Sequence, residues 1–320
     1  MTMTAAEIRL KANPILTSML LGIGQGTMIA EKLMPRLPQA LANVNIAQMG
    51  DAARRRYNLR RAPGTATKRI NIKYDGKVYS VDQYAVEVPI PRELVRESDE
   101  SRRLNIASHL DISQIAMTTA ADVLALDYEL EVAGLATNSA SYAVGNTLAL
   151  AGGTKWSATT GTPVTDVRAG AEIIRKKTGK RPNKLVMGAE VFAVVCINTE
   201  VRSYLPSTQT GPATIEQLKT IFNVAEIEVG DASWTDEDDT AHDVWGNNAI
   251  LAYVPIIAAG SAKVSLAEPA FGFTNVIEGH PFSETPYFHN DLKSWIYGGT
   301  FERRANVAYP GAGFLFTNPA

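Results

Sequence analysis

Residues 68–90 read KRINIKYDGKVYSVDQYAVEVPI, and their period of two constrains the fold more than any other stretch of the chain. Ile70, Ile72 and Tyr74 alternate with polar residues, Asp75-Gly76 follows, and after Lys77 the apolar rhythm resumes at Val78 and runs through Val81. An Asp-Gly pair suits the two positive-φ positions of a type I′ turn, whose twist matches that of paired strands. The pattern predicts a long β-hairpin turning at Asp75-Gly76 and closed by Pro89 and Pro91. On that reading Gly76→Val forces a β-branched residue towards positive φ, a local cost of about 1–3 kcal/mol. A two-stranded hairpin projecting alone is only marginally stable in water, so this one is expected to lie on a neighbouring surface.

The segments around it have different characters. In residues 1–50, Pro14, Pro35, Pro38, Gly22, Gly24 and Gly26 interrupt every helical pattern, while Leu20, Ile23, Ile29, Leu33 and Leu37 still need burial. That composition predicts an arm packed on another part of the fold or on another chain. Residues 104–138 read as one helix, with Leu104, Leu110, Ile115, Val123, Leu126, Leu130 and Leu135 near helical spacing and no internal proline. About 30 residues at 1.5 Å rise give roughly 45 Å, longer than most globular helices.

After a Gly, Thr, Ser and Ala-rich linker at 139–163, a compact α/β region is expected. A helix capped by Thr165 or Asp166 stops at Gly179, a strand covers 184–187, and a second helix covers 189–204. A third helix carries Thr214 at its cap with Gln217 three residues on, the capping-box pattern, and a strand at 226–229 follows. Segments after Phe271 read as strands returning to the long helix. The fold class is α+β.

Charge is divided unevenly along the chain. Residues 1–104 hold 17 Lys/Arg against 10 Asp/Glu, and residues 105–320 hold 14 against 23. The excess concentrates in Arg54, Arg55, Arg56, Arg60, Arg61, Lys68, Arg69 and Lys73. Such a cluster suits a polyanion or an acidic neighbouring subunit, and a solvated face explains it equally well. No run approaches 18 apolar residues, so no membrane span is expected. Ile15–Ile23 follows Arg9 and Lys11 but lacks a clean signal-peptidase site. The lone Cys196, inside Phe192-Ala-Val-Val-Cys-Ile197, reads as a small buried hydrophobe in a chain made in a reducing compartment.

A search for chemistry excludes several classes. Gly22-Ile-Gly-Gln-Gly26 has neither the spacing nor the preceding strand of a dinucleotide loop. His109, His242, His280 and His289 form no HExxH pattern, and neither a GxSxG elbow nor a P-loop is present. Asp236-Glu-Asp-Asp239 with His242 and Asp243 offers oxygen ligands to a divalent cation, but lacks the spacing and glycine of an EF-hand. It reads as a solvated loop, with a metal-dependent hydrolase as the enzyme rival. Nothing assembles a nucleophile, a base and an orienting group, so the chain is read as a non-enzyme with no cofactor and no metal.

Several segments, in this order, resemble the major capsid (major head) proteins of tailed bacteriophages, with the Hong Kong 97-type fold. They are MIAEKLMPRLP, KVYSVDQYAVEVPIPRE, DVRAGAEIIRKKTGKRPNKLVMG, TIEQLKTIFNVAEIEVGDASW, VWGNNAILAYV, PAFGFTN and AYPGAGFLFTN. The resemblance implies an N-terminal arm at 1–50 and an extended E-loop hairpin at 51–88. It implies a peripheral (P) domain at 89–159 and 290–320 with a spine helix at 104–138, and an axial (A) domain at 160–289. The implied function is self-assembly, as pentamers and hexamers, into an icosahedral head shell enclosing the phage dsDNA genome. Ile70, Ile72, Tyr74, Asp75, Gly76, Lys77 and Val78 become intersubunit contacts of the hairpin, and the basic cluster a contact patch. Implied partners are the chain itself, a separate scaffolding protein (the arm being short), a portal protein, a decoration protein and non-specific packaged dsDNA. No membrane is implied, and localisation would be the virion, after assembly in the host bacterial cytoplasm. An encapsulin-type nanocompartment shell shares the fold and is the second alternative.

Overall fold

The computed structural model describes residues 28–49, 56–58, 60–64, 66–67, 69, 74–103, 112–206, 208, 211–255 and 269–320. Its longest strand, β14 (Ser294–Val307), organises the first of two large sheets. On one edge β14 pairs antiparallel with β4 (Asp82–Pro91) from Ser294↔Pro91 to Arg303↔Asp82. On the other it pairs with β11 (Gly272–Ile277), β12 (Phe282–Ser283) and β13 (Tyr287–His289), and β1 (Arg36–Gln39) runs parallel to β11. Pro89 therefore lies inside a strand, while Pro91 is the last residue of β4, as expected of a closing proline. The Arg92 N–H reaches the Lys293 carbonyl at 3.1 Å, so the alternate positions 91 and 89 face away from β14. A missing N–H removes no ladder bond there, which is the place an edge strand tolerates proline.

Among the described residues two helical stretches follow β4, the first of them before the expected start at 104. α2 (Arg92–Arg103) is a charged helix, and α3 (Ile112–Ala136) is the long apolar one, spanning roughly 37 Å at 1.5 Å per residue. Residues 104–111 lie outside the described residues, and Asn138 is already extended. The described part of the 104–138 helix thus ends within two residues of its expected stop. α3 lies on the β4–β14 face of the sheet and buries Met117, Leu124, Tyr128 and Val132.

The second sheet has the order β5-β15-β10-β6-β7: β5 (Thr147–Ala149), β15 (Gly313–Thr317), β10 (Asn248–Ala252), β6 (Lys184–Gly188) and β7 (Glu226–Gly230). It carries α4 (Pro163–Thr178), α5 (Ala189–Ile197), α6 (Thr199–Ser203) and α7 (Ile215–Phe222) over a core that includes Trp156, Val167, Leu185, Leu218 and Phe316. Sheet membership departs from the boundaries expected at 159 and 289. β11–β13 belong to the first sheet, whereas β5 and the C-terminal β15 belong to the second. Strand patterns alone carry no record of which distant strand is the partner.

Local signals in this region fare better. Gly179 ends α4 at φ 76°, and the Thr214 N–H bonds Gln217 Oε1 at 3.0 Å. The cap of α4 is different from the one expected. Pro163 starts the helix earlier, and the Val164 and Thr165 N–H groups donate to Glu200 of α6. Asp166 instead accepts from Trp156 Nε1 at 2.9 Å. The helix expected over 189–204 breaks at Asn198, whose Oδ1 accepts from the Glu200 and Val201 N–H groups. Cys196 is buried, and burial pushes its thiol pKa up.

The two layers and the N-terminal segment meet at one side chain. Glu129 of α3 is fully buried, and its carboxylate accepts from Ile29 N (3.0 Å), Ala30 N (2.8 Å) and Trp245 Nε1 (2.7 Å). Ile29 and Ala30 open the single turn α1 (Ala30–Leu33), and Trp245 precedes β10. Gly230 makes room for that indole, since a Cβ there would stand 2.2 Å from Trp245 Cδ1. Burial raises the Glu129 pKa, against the lowering effect of the three donors. A raised native pKa means that its contribution is complete below the ordinary glutamate range and is lost as pH rises through the native value. Glu129→Ala leaves three buried donors unmatched and is expected to cost on the order of 3 kcal/mol. Urea midpoints of both proteins against pH should show that gap narrowing as pH rises through the native value.

Candidate assembly surfaces

The acidic stretch is a small hairpin in which the first carboxylate, Asp236, is already engaged. β8 (Ser233–Thr235) pairs antiparallel with β9 (Ala241–Asp243), and residues 236–240 form the turn. Asp236 Oδ1 accepts from the Asp238 and Thr240 N–H groups at 3.0 and 2.9 Å, and Oδ2 lies 2.7 Å from His242 Nε2. The His242 bond and then the backbone donors hold the Asp236 carboxyl below the usual range. The Trp234 ring tilts over His242 with centroids 5.0 Å apart. Asp236 thus caps its own turn, as short acidic side chains do in Asx-type turns. Among the described residues no group of three or more His, Cys, Asp or Glu side chains is arranged to hold a metal ion.

His280 and His289 also serve local structure. His280 Nδ1 accepts from the Glu302 N–H at 3.1 Å, and burial depresses its pKa. His289 Nδ1 accepts from the Leu292 N–H, and His109 lies outside the described residues.

Where the long hairpin was expected there is a two-stranded sheet, the arm, with different partners. β2 (Asn43–Met49) pairs antiparallel with β3 (Tyr74–Ser80) in the register Asn43↔Ser80 to Met49↔Tyr74. Asp75 and Gly76 sit inside β3, opposite Gln48 and Ala47, so the turn expected there does not form. The local preference of Asp-Gly for a turn yields to seven residues of cross-strand pairing, each adding a neighbour that a turn would forfeit. Strain at Gly76→Val therefore has no basis, because an extended backbone accepts valine. β4, expected as the outgoing half of the hairpin, is part of the first sheet.

Tyr74, Asp75, Gly76, Lys77 and Val78 lie together on β3, while Ile70 and Ile72 are outside the described residues. Of the basic cluster, Arg56, Arg60, Arg61 and Arg69 are exposed, and Arg54, Arg55, Lys68 and Lys73 are outside the described residues. The root of the arm is tied to β14. Arg304 reaches Ser80 Oγ at 2.9 Å and Asp82 at 3.5 Å, and the Val81 N–H donates to the Ala42 carbonyl.

The charge cluster of Arg303, Asp127 and Glu131 escaped sequence reasoning. Arg303 of β14 is fully buried, with Nη2 2.6 Å from Asp127 Oδ2 and Nε 3.2 Å from Glu131 Oε2. Its guanidinium lies 4.0 Å from the Tyr84 ring centroid and 4.8 Å from that of Phe301. Glu131 also accepts from the Ala305 N–H at 2.7 Å. A charge pair inside the apolar runs of 123–136 and 294–307 was the available signal. Asp236→Ala is expected to speed hydrogen exchange at the Asp238 and Thr240 amides and leave the thermal midpoint unchanged. A stoichiometric divalent ion lost in that variant would reinstate the metal reading.

The sequence and fold relatives agree with this geometry. The family model described as phage major capsid protein E matches residues 141–265. The major capsid protein of Burkholderia phage BcepMu is 32% identical over 274 residues, covering 85% of this chain and 86% of that one. A phage-related protein from Bordetella bronchiseptica RB50 superposes with a TM-score of 0.76 at 32% identity, covering 96% and 97% of the two chains. The capsid of cyanophage P-SCSP1u shares the fold alone, with a TM-score of 0.58 at 14% identity over 91% and 88%. The chain belongs to the phage major capsid protein family and carries the Hong Kong 97-type fold as a shell-forming structural subunit.

Proposed function

We propose that this subunit assembles as pentamers and hexamers into an icosahedral head around packaged dsDNA, with the β2–β3 arm reaching across an adjacent copy. The supporting observation is the arm itself. Among the described residues β2 and β3 pair only with each other. Two strands alone are marginal in water, and a neighbouring surface supplies the missing layer. In this reading 43–80 is the E-loop, the first sheet with α2 and α3 is the P domain, and the second sheet with α4–α7 is the A domain. Exposed Arg56, Arg60, Arg61 and Arg69 meet acidic surface on the next copy. A scaffolding protein, a portal and a decoration protein are the further partners, and the role is structural with no catalytic step. Identity of 32% to a phage major capsid protein favours a genome-enclosing shell over an encapsulin-type one.

The Val81–Ala42 bond sets the hydrogen-bonding parity of the arm, and it makes Lys77↔Ile46 a hydrogen-bonded pair. Lys77→Pro removes that donor, whereas Gly76→Val keeps the ladder. Lys77→Pro is expected to give a folded subunit with an unchanged melting midpoint and few closed shells by electron microscopy. Gly76→Val should assemble normally. Shells of wild-type yield from Lys77→Pro would remove the arm from assembly, and particles holding protein cargo without DNA would favour the encapsulin reading.

Assembly through the basic cluster should also weaken with salt, since the Debye length is about 8 Å at physiological ionic strength. Light scattering across a salt series is expected to show a slower rise in mass for Arg60→Ala/Arg61→Ala than for wild type at low salt. The two curves should converge at high salt.

A further inference from the structure

Helix α3 carries large apolar residues on the side away from the sheet as well as on the side the sheet covers. Ile115 and Val123 are 45% and 48% exposed, Thr119 is exposed, and Leu126 and Leu130 are half-buried. At 100° per residue these five positions fall within about 80° of one another, forming a single stripe on the side away from β14. Exposed Asp122 borders the stripe, and an apolar stripe of this kind on a helix is normally turned towards a covering layer.

The course of the N-terminal segment points to what covers it. Tyr128 Oη donates to the Met34 carbonyl at 3.3 Å, and the Ile29 and Ala30 N–H groups donate to Glu129. Tyr128 and Glu129 are about 100° apart on the helix, and the stripe lies a further 40–120° beyond Glu129 in the same sense. Followed backwards from Met34 to Ile29, the chain crosses α3 from its buried side towards the stripe. The 27 residues before Met28 include Ile15, Leu16, Met19, Leu20, Leu21 and Ile23. From Leu130 to Ile115 is roughly 22 Å, a distance about seven extended residues span. The stretch from 15 to 23 is long enough, apolar enough and attached at the right end.

We propose that residues 15–23 of the same chain dock along the Ile115–Leu130 stripe and complete the covering of α3 within one subunit. The contact is intramolecular and does not depend on shell formation, so it is testable on the unassembled subunit at concentrations where sedimentation shows a monomer. In a Cys196→Ala background, a cysteine is introduced at Val123 or, as a control, at Val144, which is 99% exposed. Maleimide labelling at 123 is expected to be at least tenfold slower than at 144. Leu16→Asp with Leu20→Asp should bring the two rates within about twofold. In the otherwise wild-type arm, a Leu20→Cys/Val123→Cys pair should form a disulfide within one chain on mild oxidation. Equal labelling rates in the parent overturn the proposal. A disulfide forming only between chains assigns the stripe to a second copy and also overturns it, as does the absence of any disulfide.

Discussion

A carboxylate with no solvent around it determines how three distant parts of this subunit meet. Glu129 joins the N-terminal segment at Ile29 and Ala30, the long helix, and Trp245 at the entrance to the second sheet. Three N–H donors offset the cost of removing that carboxylate from water, and each would itself be unsatisfied without it. The contact is therefore mutually obligatory. It sets where the N-terminal segment crosses the helix and where the acidic hairpin returns to the core.

A second buried charge, Arg303, serves the other side of the same helix. Its pairing with Asp127 and Glu131 fixes β14 against α3 in rotation as well as in distance, because both acids lie one turn apart on one face. The adjacent Arg304 points the opposite way along the strand and holds the root of the β2–β3 arm through Ser80 and Asp82. Alternation along a single strand thus links the inner anchor to the projecting element. The same strand thereby ties the two-stranded β2–β3 sheet to the core of the subunit.

The acidic hairpin illustrates how composition can imitate a site. Four consecutive acids beside a histidine have the ingredients of a divalent centre. Asp236 spends its oxygens on the turn and on His242. Side chains that stabilise a loop's own backbone are not arranged around a common external point.

The sequence by itself determined the pieces whose signals are short-range. These include the helix stop at Gly179, the Thr214–Gln217 cap, the strands expected at 184–187 and 226–229, each of which runs one residue further, and the buried Cys196. The order of its segments along the chain was also enough to mark the capsid family. Only the tertiary structure decided that Asp75-Gly76 is strand and not turn, that β4 leaves the arm for β14, and that β15 joins the second sheet. It alone revealed Glu129, whose donors stand 99, 100 and 116 residues away. Caps and turns depend on dihedral preferences and hydrogen bonds within a few residues, which any short window of sequence records. Strand partnership and the burial of a charge depend on which distant surface removes the water, and that is settled only when the chain closes on itself.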